Sequence, residues 1–307
     1  MKLSRDLLGP ALCSKSVVTI GAFDGLHLGP QAMLSSVVTR AVELSVASAV
    51  VSFEPLPRSY FKQPGLLRIL SVHKKLALLQ ASGIDHLLML RFNQALAAMT
   101  PEAFVEHVLV RRLQAVEVWI GADFRFGAKR AGSIDTLRAL GARFGFSVFE
   151  FAQVQVAGER VSASAVRAAL LDGDFIGVQR RLGRPYRYRA RVQSGQQLGR
   201  TLGFPTANLP WPIDNPLRGI FAVRVSSAYL HQHPAVASLG TRPVVGGVEP
   251  LLEVHLLDFS GDLYGQALTI EFIAKQREEW NFPDLAALVT QIKLDELQAR
   301  QILAARP

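Results

Sequence analysis

The sequence predicts an α/β first half built on a parallel sheet and a second half that forms an antiparallel β-barrel ending in a helix. Over about the first 180 residues, short apolar β-branched runs alternate with helical patterns. Such alternation is typical of parallel sheets covered by helices on both faces. From about residue 186, glycine- and proline-rich turns separate runs of strand type, which is typical of a barrel or sandwich. The 307 residues suffice for two domains.

Each element of the first half follows from a local pattern. Apolar β-branched runs predict strands, and apolar residues three and four positions apart predict the helices between them. Thr100 and Pro101 provide an N-cap and a first-turn residue for one helix. The predicted strands are residues 16–20, 49–53, 86–90, 116–121 and 147–151, and the predicted helices are residues 31–44, 72–81, 100–113 and 133–144. Parallel sheets bind ligands at the carboxyl ends of their strands, so we expect a site there.

The second half predicts several strands and then one helix. The runs IFAVRV, LLEVHLLDF and ALTIEFIA have strand composition, with turn residues between them across residues 186–274. From Asp284 the apolar spacing becomes helical. The predicted apolar positions are Leu285, Leu288, Val289, Ile292, Leu297 and Ile302. The change of character near Gly183 predicts one domain over residues 1–182 and another over residues 183–307.

The composition is that of a soluble protein in a reducing compartment. Hydrophobic residues make up 49% of the chain and charged residues 19%. No apolar run approaches the ~18 residues of a membrane helix, and the N-terminus lacks an apolar segment of signal type. Cys13 is the single cysteine, so an internal disulfide framework is excluded. We therefore expect a cytoplasmic protein with no membrane partner.

The net charge of +9 favours anionic ligands such as nucleotides, phosphates, nucleic acid or a membrane surface. The arginines are densest in RRLGRPYRYRAR, residues 180–191. This cluster is either a solvated linker or a nucleic-acid-binding patch. No helix-turn-helix, zinc-finger or RRM pattern accompanies it, so we expect no nucleic-acid partner.

A glycine-rich segment between the first strand and the first helix predicts a phosphate site. The segment is GAFDGLHLG, residues 21–29. Backbone N–H groups of such a turn can approach a phosphate, and the dipole of the following helix adds to the attraction. His27 is a candidate donor to a phosphate or to leaving pyrophosphate. Glycines alone are weak evidence, because most glycine-rich turns bind nothing.

Three further motifs accompany this segment. GAFDGLHLGP, FEPLP, ADFRFGAKRAG and VSASAVR occur in this order, at residues 21–30, 53–57, 122–132 and 161–167. In them the chain resembles the nucleotidyltransferase module of bacterial bifunctional riboflavin kinase/FAD synthetases. The patterns of that family are G-x-F-D-G-x-H-x-G-H, F-E-P-H-P, D-F-R-F-G and S-S-T-x-I-R. The resemblance implies a Rossmann-like domain that transfers AMP from ATP to FMN.

The resemblance also implies roles for individual residues. His27 is the implied catalytic residue, and Phe124 is implied to lie near the flavin. Hydroxyl and guanidinium groups at Ser164 and Arg167 suit ATP phosphates. The full implied ATP set is Gly21, Phe23, Asp24, Gly29, Asp123, Arg125, Ser164 and Arg167.

Several positions depart from the pattern of the family. Pro30 and Leu56 stand where the family has histidines, and Ala163 and Ser164 replace Ser and Thr. One lost donor to a developing charge is worth roughly 3–4 kcal/mol at comparable sites. Proline is well tolerated in the first turn of a helix. The module is therefore expected to fold, with AMP transfer either retained or weakened.

The second half carries its own set of motifs. These are LGRTLGFPTANLP, SLGTRPVVGG, LLEVHLLDFSGDLYG and QREEWNF, at residues 198–210, 238–247, 251–265 and 276–282. They resemble the riboflavin kinase patterns G-R-x-x-G-F-P-T-A-N, N-I-G-x-R-P-T, L-E-V-H-x-x-D-F…L-Y-G and L-R-x-E-x-x-F. The second motif lacks the Asn and the Thr, and Gln276 replaces the Leu of the fourth. The resemblance implies ATP-dependent formation of FMN from riboflavin.

These motifs fit phosphoryl transfer, which needs a metal, positioned donors and an oriented nucleophile. Thr206 and Asn208 are two residues apart, so in an extended segment both side chains leave the same face. Their oxygens suit a hard Mg²⁺ ion that keeps several waters, and the resemblance implies that they contact the metal and the phosphates. The other implied ATP residues of this loop are Gly199, Arg200, Gly203 and Pro205.

Glu253 is the implied general base for the ribityl 5′-hydroxyl. On its strand, Glu253, His255 and Leu257 are predicted to share one face. Charged residues on barrel strands are mostly exposed, whereas the resemblance favours an inward, functional carboxylate. The implied flavin contacts are Phe124, Arg277, Glu279 and Phe282, although Arg277 and Glu279 equally suit an ordinary surface pair.

The sequence thus predicts an enzyme that uses ATP and Mg²⁺ to phosphorylate riboflavin and to adenylylate FMN. One alternative is a riboflavin kinase fused to a weakened nucleotidyltransferase module, favoured by Pro30, Leu56 and Ala163. The other is a flavin- or nucleic-acid-binding regulator, which has no need of a base at Glu253. The oligomeric state stays open.

Overall fold

The computed structural model describes residues 1–5, 7, 9–61, 68–194, 203–212, 215, 217–244 and 247–306. The predicted ATP residues Gly199 and Arg200 lie outside these ranges. The chain divides into two compact units, Met1–Ala163 and Ser164–Pro307. The predicted domain boundary between residues 182 and 183 stays a prediction.

The first unit is built on a six-stranded parallel sheet with the order β1-β4-β3-β2-β5-β6. Its strands are β1 Lys2–Ser4, β2 Ser16–Ile20, β3 Ala47–Glu54, β4 His86–Arg91, β5 Ala115–Gly121 and β6 Ser147–Phe151. All five residues of β2 are buried, because helices cover both faces of a central parallel strand. The predicted α/β fold is confirmed, and the strand order changes direction between β2 and β5.

The helices of this unit are α1 Leu28–Glu43, α2 Pro57–Tyr60, α3 Val72–Ala81, α4 Gln94–Ala97, α5 Pro101–Phe104 and α6 Ile134–Phe144. The predicted start of the first helix is wrong by three residues, because the His27 side chain caps it by accepting from the Gly29 N–H. The helix predicted to run to residue 113 is α-helical only in α5 and continues as a π-helix over Val105–Arg112. Over so few turns, apolar spacing does not distinguish the two helix types.

The second unit contains an antiparallel six-stranded sheet with the order β10-β13-β12-β11-β14-β9. The first unit ends in a short hairpin of β7 Gln155–Val156 and β8 Glu159–Arg160, and α7 Ala163–Leu171 and α8 Phe175–Leu182 follow it. The barrel strands are β9 Arg187–Arg191, β10 Ala207–Pro210, β11 Gly219–Ser226, β12 His233–Val244, β13 Gly247–Leu256 and β14 Ala267–Arg277. The Gln193 N–H donates to the Asn208 carbonyl at 2.8 Å, so the two sheet edges meet and the barrel is nearly closed.

The barrel has an apolar interior and a helix on its outer face. Inward side chains such as Leu209, Phe221 and Leu252 have no exposed surface. The C-terminal helix, α9 Leu285–Ala304, packs through Ala299 and Leu303 on Ala222 of β11. This architecture confirms the predicted barrel and terminal helix.

The predicted apolar stripe of α9 is partly wrong. Leu285 and Leu297 are 58% and 56% exposed. Asp295 lies on the buried face instead, 3% exposed, where it accepts hydrogen bonds from Arg277 and Gln291. The apolar spacing predicted part of the buried face wrongly, because the ion pair of Asp295 with Arg277 occupies one of the packing positions.

Candidate active sites

Two of the predicted N-terminal motifs follow β2 and β5, the strands at which the sheet order reverses. In open α/β sheets, ligands bind in the crevice at this point, outside the carboxyl ends of the strands. Residues 21–27 and 122–132 are the loops that follow these strands. The topology therefore brings the predicted ATP loop and the predicted nucleotide–flavin loop to one edge of the sheet.

The first loop has an unusual backbone. Phe23 and Leu26 have φ of 50° and 41°, and Gly25 between them has φ of 87°. Residues other than glycine rarely adopt this region. Phe23 and Leu26 are 5% and 2% exposed, so packing holds both in place. Successive N–H groups in such turns form concavities that bind anions, which suits a triphosphate.

His27 stands where this loop enters α1. Its Nδ1 accepts from the Gly29 N–H at 3.3 Å, so the proton of a neutral ring lies on Nε2. Nε2 is therefore a hydrogen-bond donor. The Gly29 amide thus orients the imidazole, and a Cβ at residue 29 would lie 3.2 Å from its Cε1 atom. Pro30 follows as the third residue of α1, where no intrahelical N–H bond is lost.

Asp24 supports the loop from within. Its carboxylate is 8% exposed and accepts from the backbone N–H groups of Ile69 and Leu70, at 3.1 and 3.3 Å. These contacts tie the loop to the segment that precedes α3. Leu56, which stands where the family has a histidine, is also buried, at 3% exposure.

The loop after β5 is held by its aromatic residues. Phe124 stacks on Phe126 with ring centroids 5.5 Å apart, and Asp123 pairs with Arg160. Arg125 is exposed. Gly127 has φ of 72°, and a Cβ there would lie 2.7 Å from Pro101, so only glycine fits.

The last N-terminal motif opens α7. Ser164 is exposed and Arg167 is half-buried, three residues apart on this helix. Residues at this spacing lie on one helix face, as joint phosphate contacts require. Their predicted role stays a prediction.

The kinase motifs meet on the outer face of the barrel. Glu253 lies opposite Asn208 of β10 on one side and Ser238 of β12 on the other, and directly paired side chains share a face, with Cβ atoms about 5 Å apart. Leu252 and Val254, which alternate with Glu253, are fully buried. The inward orientation expected for Glu253 is therefore wrong, because these two residues take the interior positions.

The outward Glu253 is nevertheless half-buried, and it lies beside Asn208, which is 5% exposed. Leu257 does not share this face as predicted. It lies past the end of β13 and is 1% exposed. A carboxylate and an amide thus stand on neighbouring strands, on one polar face.

His255 links this face to the loop that precedes β10. Its Nδ1 lies 2.8 Å from the Pro205 carbonyl and its Nε2 lies 2.7 Å from Oε1 of Glu296 on α9. Both partners are hydrogen-bond acceptors, a backbone carbonyl and a carboxylate. Pro205 immediately precedes Thr206. The role of His255 was missed from sequence, although its presence within the LEVH motif was the available signal.

The donor set fits Mg²⁺. Asn208 leaves β10 on the face opposite the inward residues Ala207 and Leu209, and Thr206 immediately precedes the strand, where an extended chain would put its hydroxyl on the same face. Among the described residues, no cluster of three His, Cys, Asp or Glu forms a soft or all-protein metal site. Two oxygen donors completed by water and phosphate oxygens are typical of Mg²⁺. Gly203 precedes them with φ of 89°, which allows the loop to turn.

Three of the predicted flavin residues lie at the end of β14 or just after it. Arg277 makes a bidentate pair with Asp295, at 2.8 and 2.6 Å, and its guanidinium lies 4.8 Å from the Trp280 ring and 5.8 Å from the Phe282 ring. The alternative of a surface pair between Arg277 and Glu279 is therefore wrong. Trp280 is 55% exposed, and sequence reasoning missed this aromatic residue within the motif.

Glu279 lies against the backbone of Gly240. A Cβ at residue 240 would overlap the Glu279 carboxylate, so the glycine of the SLGTRP motif makes room for that carboxylate. Burial raises the pKa of Glu279 above its ordinary value. The two motifs that carry these residues are thus packed together.

The fold and both sets of motifs define a transferase that works on flavins and ATP. The family model described as FAD synthetase matches residues 10–165, and the one described as riboflavin kinase matches residues 182–303. The bifunctional riboflavin kinase/FMN adenylyltransferase of Pseudomonas fluorescens is 43% identical over 290 residues, 94% of this chain and 93% of that protein. The protein of the same name from Escherichia coli (strain K12) is 38% identical over 307 residues, 98% of this chain and 97% of that protein.

The chain belongs to the family of bifunctional riboflavin kinase/FMN adenylyltransferases. It carries both enzymatic domains, which favours the two-activity prediction over a kinase with a weakened module and over a regulator.

A crystal structure described as a macrolide-efflux protein from Streptococcus pneumoniae has the same fold. Its TM-score is 0.82 at 28% identity, over 97% of this chain and 98% of that chain. In the part of the chain that the structure describes, no helix is both long and apolar enough to cross a membrane.

Proposed function

We propose that this protein makes FMN from riboflavin and ATP on its barrel, and FAD from FMN and a second ATP on its parallel-sheet unit, in the cytoplasm. The observation that carries the proposal is the pairing of Asn208 with Glu253 on one face of neighbouring strands. This pairing supports a base at Glu253 beside a phosphate- and metal-binding group at Asn208, and a binding protein needs no such arrangement.

In the kinase reaction, Glu253 accepts the proton of the ribityl 5′-hydroxyl as that oxygen attacks the γ-phosphorus of ATP and ADP leaves. Thr206 and Asn208 hold the phosphates, and the loop through Gly203 and Pro205 covers the nucleotide. Bound at Thr206 and Asn208, Mg²⁺ would neutralise phosphate charge. Phe282 and Glu279 lie at the flavin end of this site, with Arg277 fixed by Asp295.

In the adenylyl transfer, an FMN phosphate oxygen attacks the α-phosphorus of ATP and pyrophosphate leaves. Nε2 of His27 donates to the charge that develops on the phosphate oxygens. The backbone of residues 21–29 cradles the triphosphate. Arg125 provides a further donor, Asp123 lies at the nucleotide, and Phe124 lies at the flavin.

Pro30 and Leu56 leave this chemistry in place. Pro30 continues a regular α1, and Leu56 is buried, so neither substitution disturbs the loop that presents His27. We therefore assign AMP transfer to this chain despite the lost histidines.

The test is a time course of the purified protein with riboflavin, ATP and Mg²⁺, resolved by chromatography into riboflavin, FMN and FAD. FMN followed by FAD is the expected result. FMN alone, with none converted when FMN is supplied directly with ATP, would leave only the kinase. A sample without added divalent metal is the matched control and is expected to form neither product.

A further inference from the structure

A buried lysine outside all four N-terminal motifs contacts two of them. Lys75 lies on α3 and is 1% exposed, which makes it one of the largest fully buried side chains among the described residues. Its Nζ donates to the carbonyls of Ala22 and Phe53, at 2.9 and 3.2 Å. Ala22 belongs to the ATP loop, and Phe53 lies near the end of β3 in the FEPLP motif. One ammonium group therefore joins the two motifs.

The segment around Lys75 holds the same loop at two more points. The N–H groups of Ile69 and Leu70 donate to the Asp24 carboxylate. The Ile69 side chain lies against Gly25, where a Cβ would approach to 3.0 Å. Residues 69–75 therefore contact the part of the loop just before His27, where the backbone is strained.

The buried environment of Lys75 disfavours its positive charge. Burial lowers the pKa of Lys75 to about 8, with Glu54 and Asp24 opposing this shift and Arg68 adding to it. Arg68 already pairs with Glu54. A methionine would fill similar volume without burying a charge, so what the lysine provides at this position is a cationic donor.

We propose that Lys75 is a positioning residue for AMP transfer, whose ammonium holds the ATP loop against the end of β3 so that His27 and the loop N–H groups meet the triphosphate. The inference rests on the assignment of AMP transfer to the first unit. Lys75 acts through the two carbonyls and has no contact with the reacting atoms.

The first test compares Lys75→Met with Lys74→Met, the same change at the exposed neighbour on α3. FAD formation from FMN and ATP is measured beside FMN formation from riboflavin in the same samples. We expect kcat for FAD formation to fall about a hundredfold in Lys75→Met, the scale of a misplacement near 1 Å. The kinase rate reports that the chain is otherwise intact. Wild-type FAD formation by Lys75→Met would overturn the proposal.

The pH profile separates positioning from mere packing. Above about pH 8 the Lys75 amine becomes neutral and its hydrogen bonds lose charge assistance. FAD formation by the wild type should therefore decline as the pH rises through this value. Lys75→Arg, which stays charged, should restore part of the rate and shift the decline to higher pH. The same decline in Lys75→Met would refute the assignment to Lys75.

Amide hydrogen exchange decides the matter without turnover. Exchange at residues 22–26 should be faster in Lys75→Met than in the wild type and unchanged in Lys74→Met, because loss of the clamp loosens the loop. A wild type that makes no FAD would contradict the AMP-transfer assignment alone. Unchanged protection of these amides in Lys75→Met would overturn the proposal that Lys75 holds the ATP loop.

Discussion

Glu253 and its neighbours show how strand alternation creates a reactive face. The carboxylate leaves β13 on the side opposite Leu252 and Val254, and the register sets it directly opposite Asn208. A half-buried carboxylate beside a buried amide has restricted freedom, which is what a base needs in order to orient a hydroxyl.

Glu253→Gln keeps the shape of this side chain and removes its basicity. We expect FMN formation to fall at least about 100-fold, the usual contribution of a general base. FAD formation from supplied FMN and ATP is the internal control and should be unchanged. Wild-type FMN turnover in this variant would remove Glu253 as the base.

Pro30→His adds an imidazole to the first turn of α1, next to the capped loop of His27. We expect AMP transfer to rise, because one more donor at developing phosphate charge is worth roughly 3–4 kcal/mol in comparable sites. Pro30→Ala is the matched control, since it removes the ring without adding a donor. Equal rates of FAD formation in both variants would show that the missing imidazole does not limit the rate of AMP transfer.

At the scale of elements, polar side-chain pairs as well as apolar packing hold α9 on the barrel. Arg277 pairs with Asp295, His255 with Glu296, and Asp258 with Arg300 at 2.5 and 2.8 Å. The Arg277–Asp295 pair is 11% and 4% exposed, so removal of one partner would leave a buried charge. These ties explain how the helix docks while several of its leucines stay exposed.

His255→Phe preserves a ring and removes both of its hydrogen bonds. Without the tie to the Pro205 carbonyl, the loop before Thr206 should loosen, and the KM for ATP in FMN formation should rise. Two lost bonds at about 1 kcal/mol each correspond to at least roughly a tenfold effect. The KM for ATP in FAD formation, and Glu296→Gln, which keeps a polar partner for the ring, are the controls. An unchanged kinase KM in His255→Phe would show that His255 does not hold this loop.

At the scale of the whole molecule, two ATP-dependent reactions in series share one basic chain with a net charge of +9. The motifs of the kinase lie within the second unit, and the motif that contains His27 lies within the first. Each activity should therefore survive the loss of the other.

A mixture of two inactivated proteins tests this independence. Glu253→Gln should lose FMN formation and His27→Ala should lose AMP transfer, so neither alone should make FAD from riboflavin. Mixed, they should do so, because FMN released by one is a substrate of the other. If each variant keeps its own activity and the mixture yields no FAD, FMN does not pass between molecules through solution.

The sequence by itself determined five of the six strands of the parallel sheet, the helix that follows the barrel and both sets of motifs, but not β1 or the short helices α2 and α4. It did so because the apolar period, caps such as Thr100, and glycine turns are local properties of the chain. The helix predicted over residues 72–81 has the observed bounds of α3.

Only the tertiary structure decided which groups meet. Strand register decides that Glu253 faces outward. Contacts between distant segments decide the other cases, which are the Asp295 partner of Arg277, the amides that Asp24 binds and the two carbonyls that Lys75 joins. No local pattern encodes them. A charged residue within an apolar stripe is predicted to be exposed, because charged residues mostly are. It can be buried in an ion pair only when a distant part of the fold provides its partner.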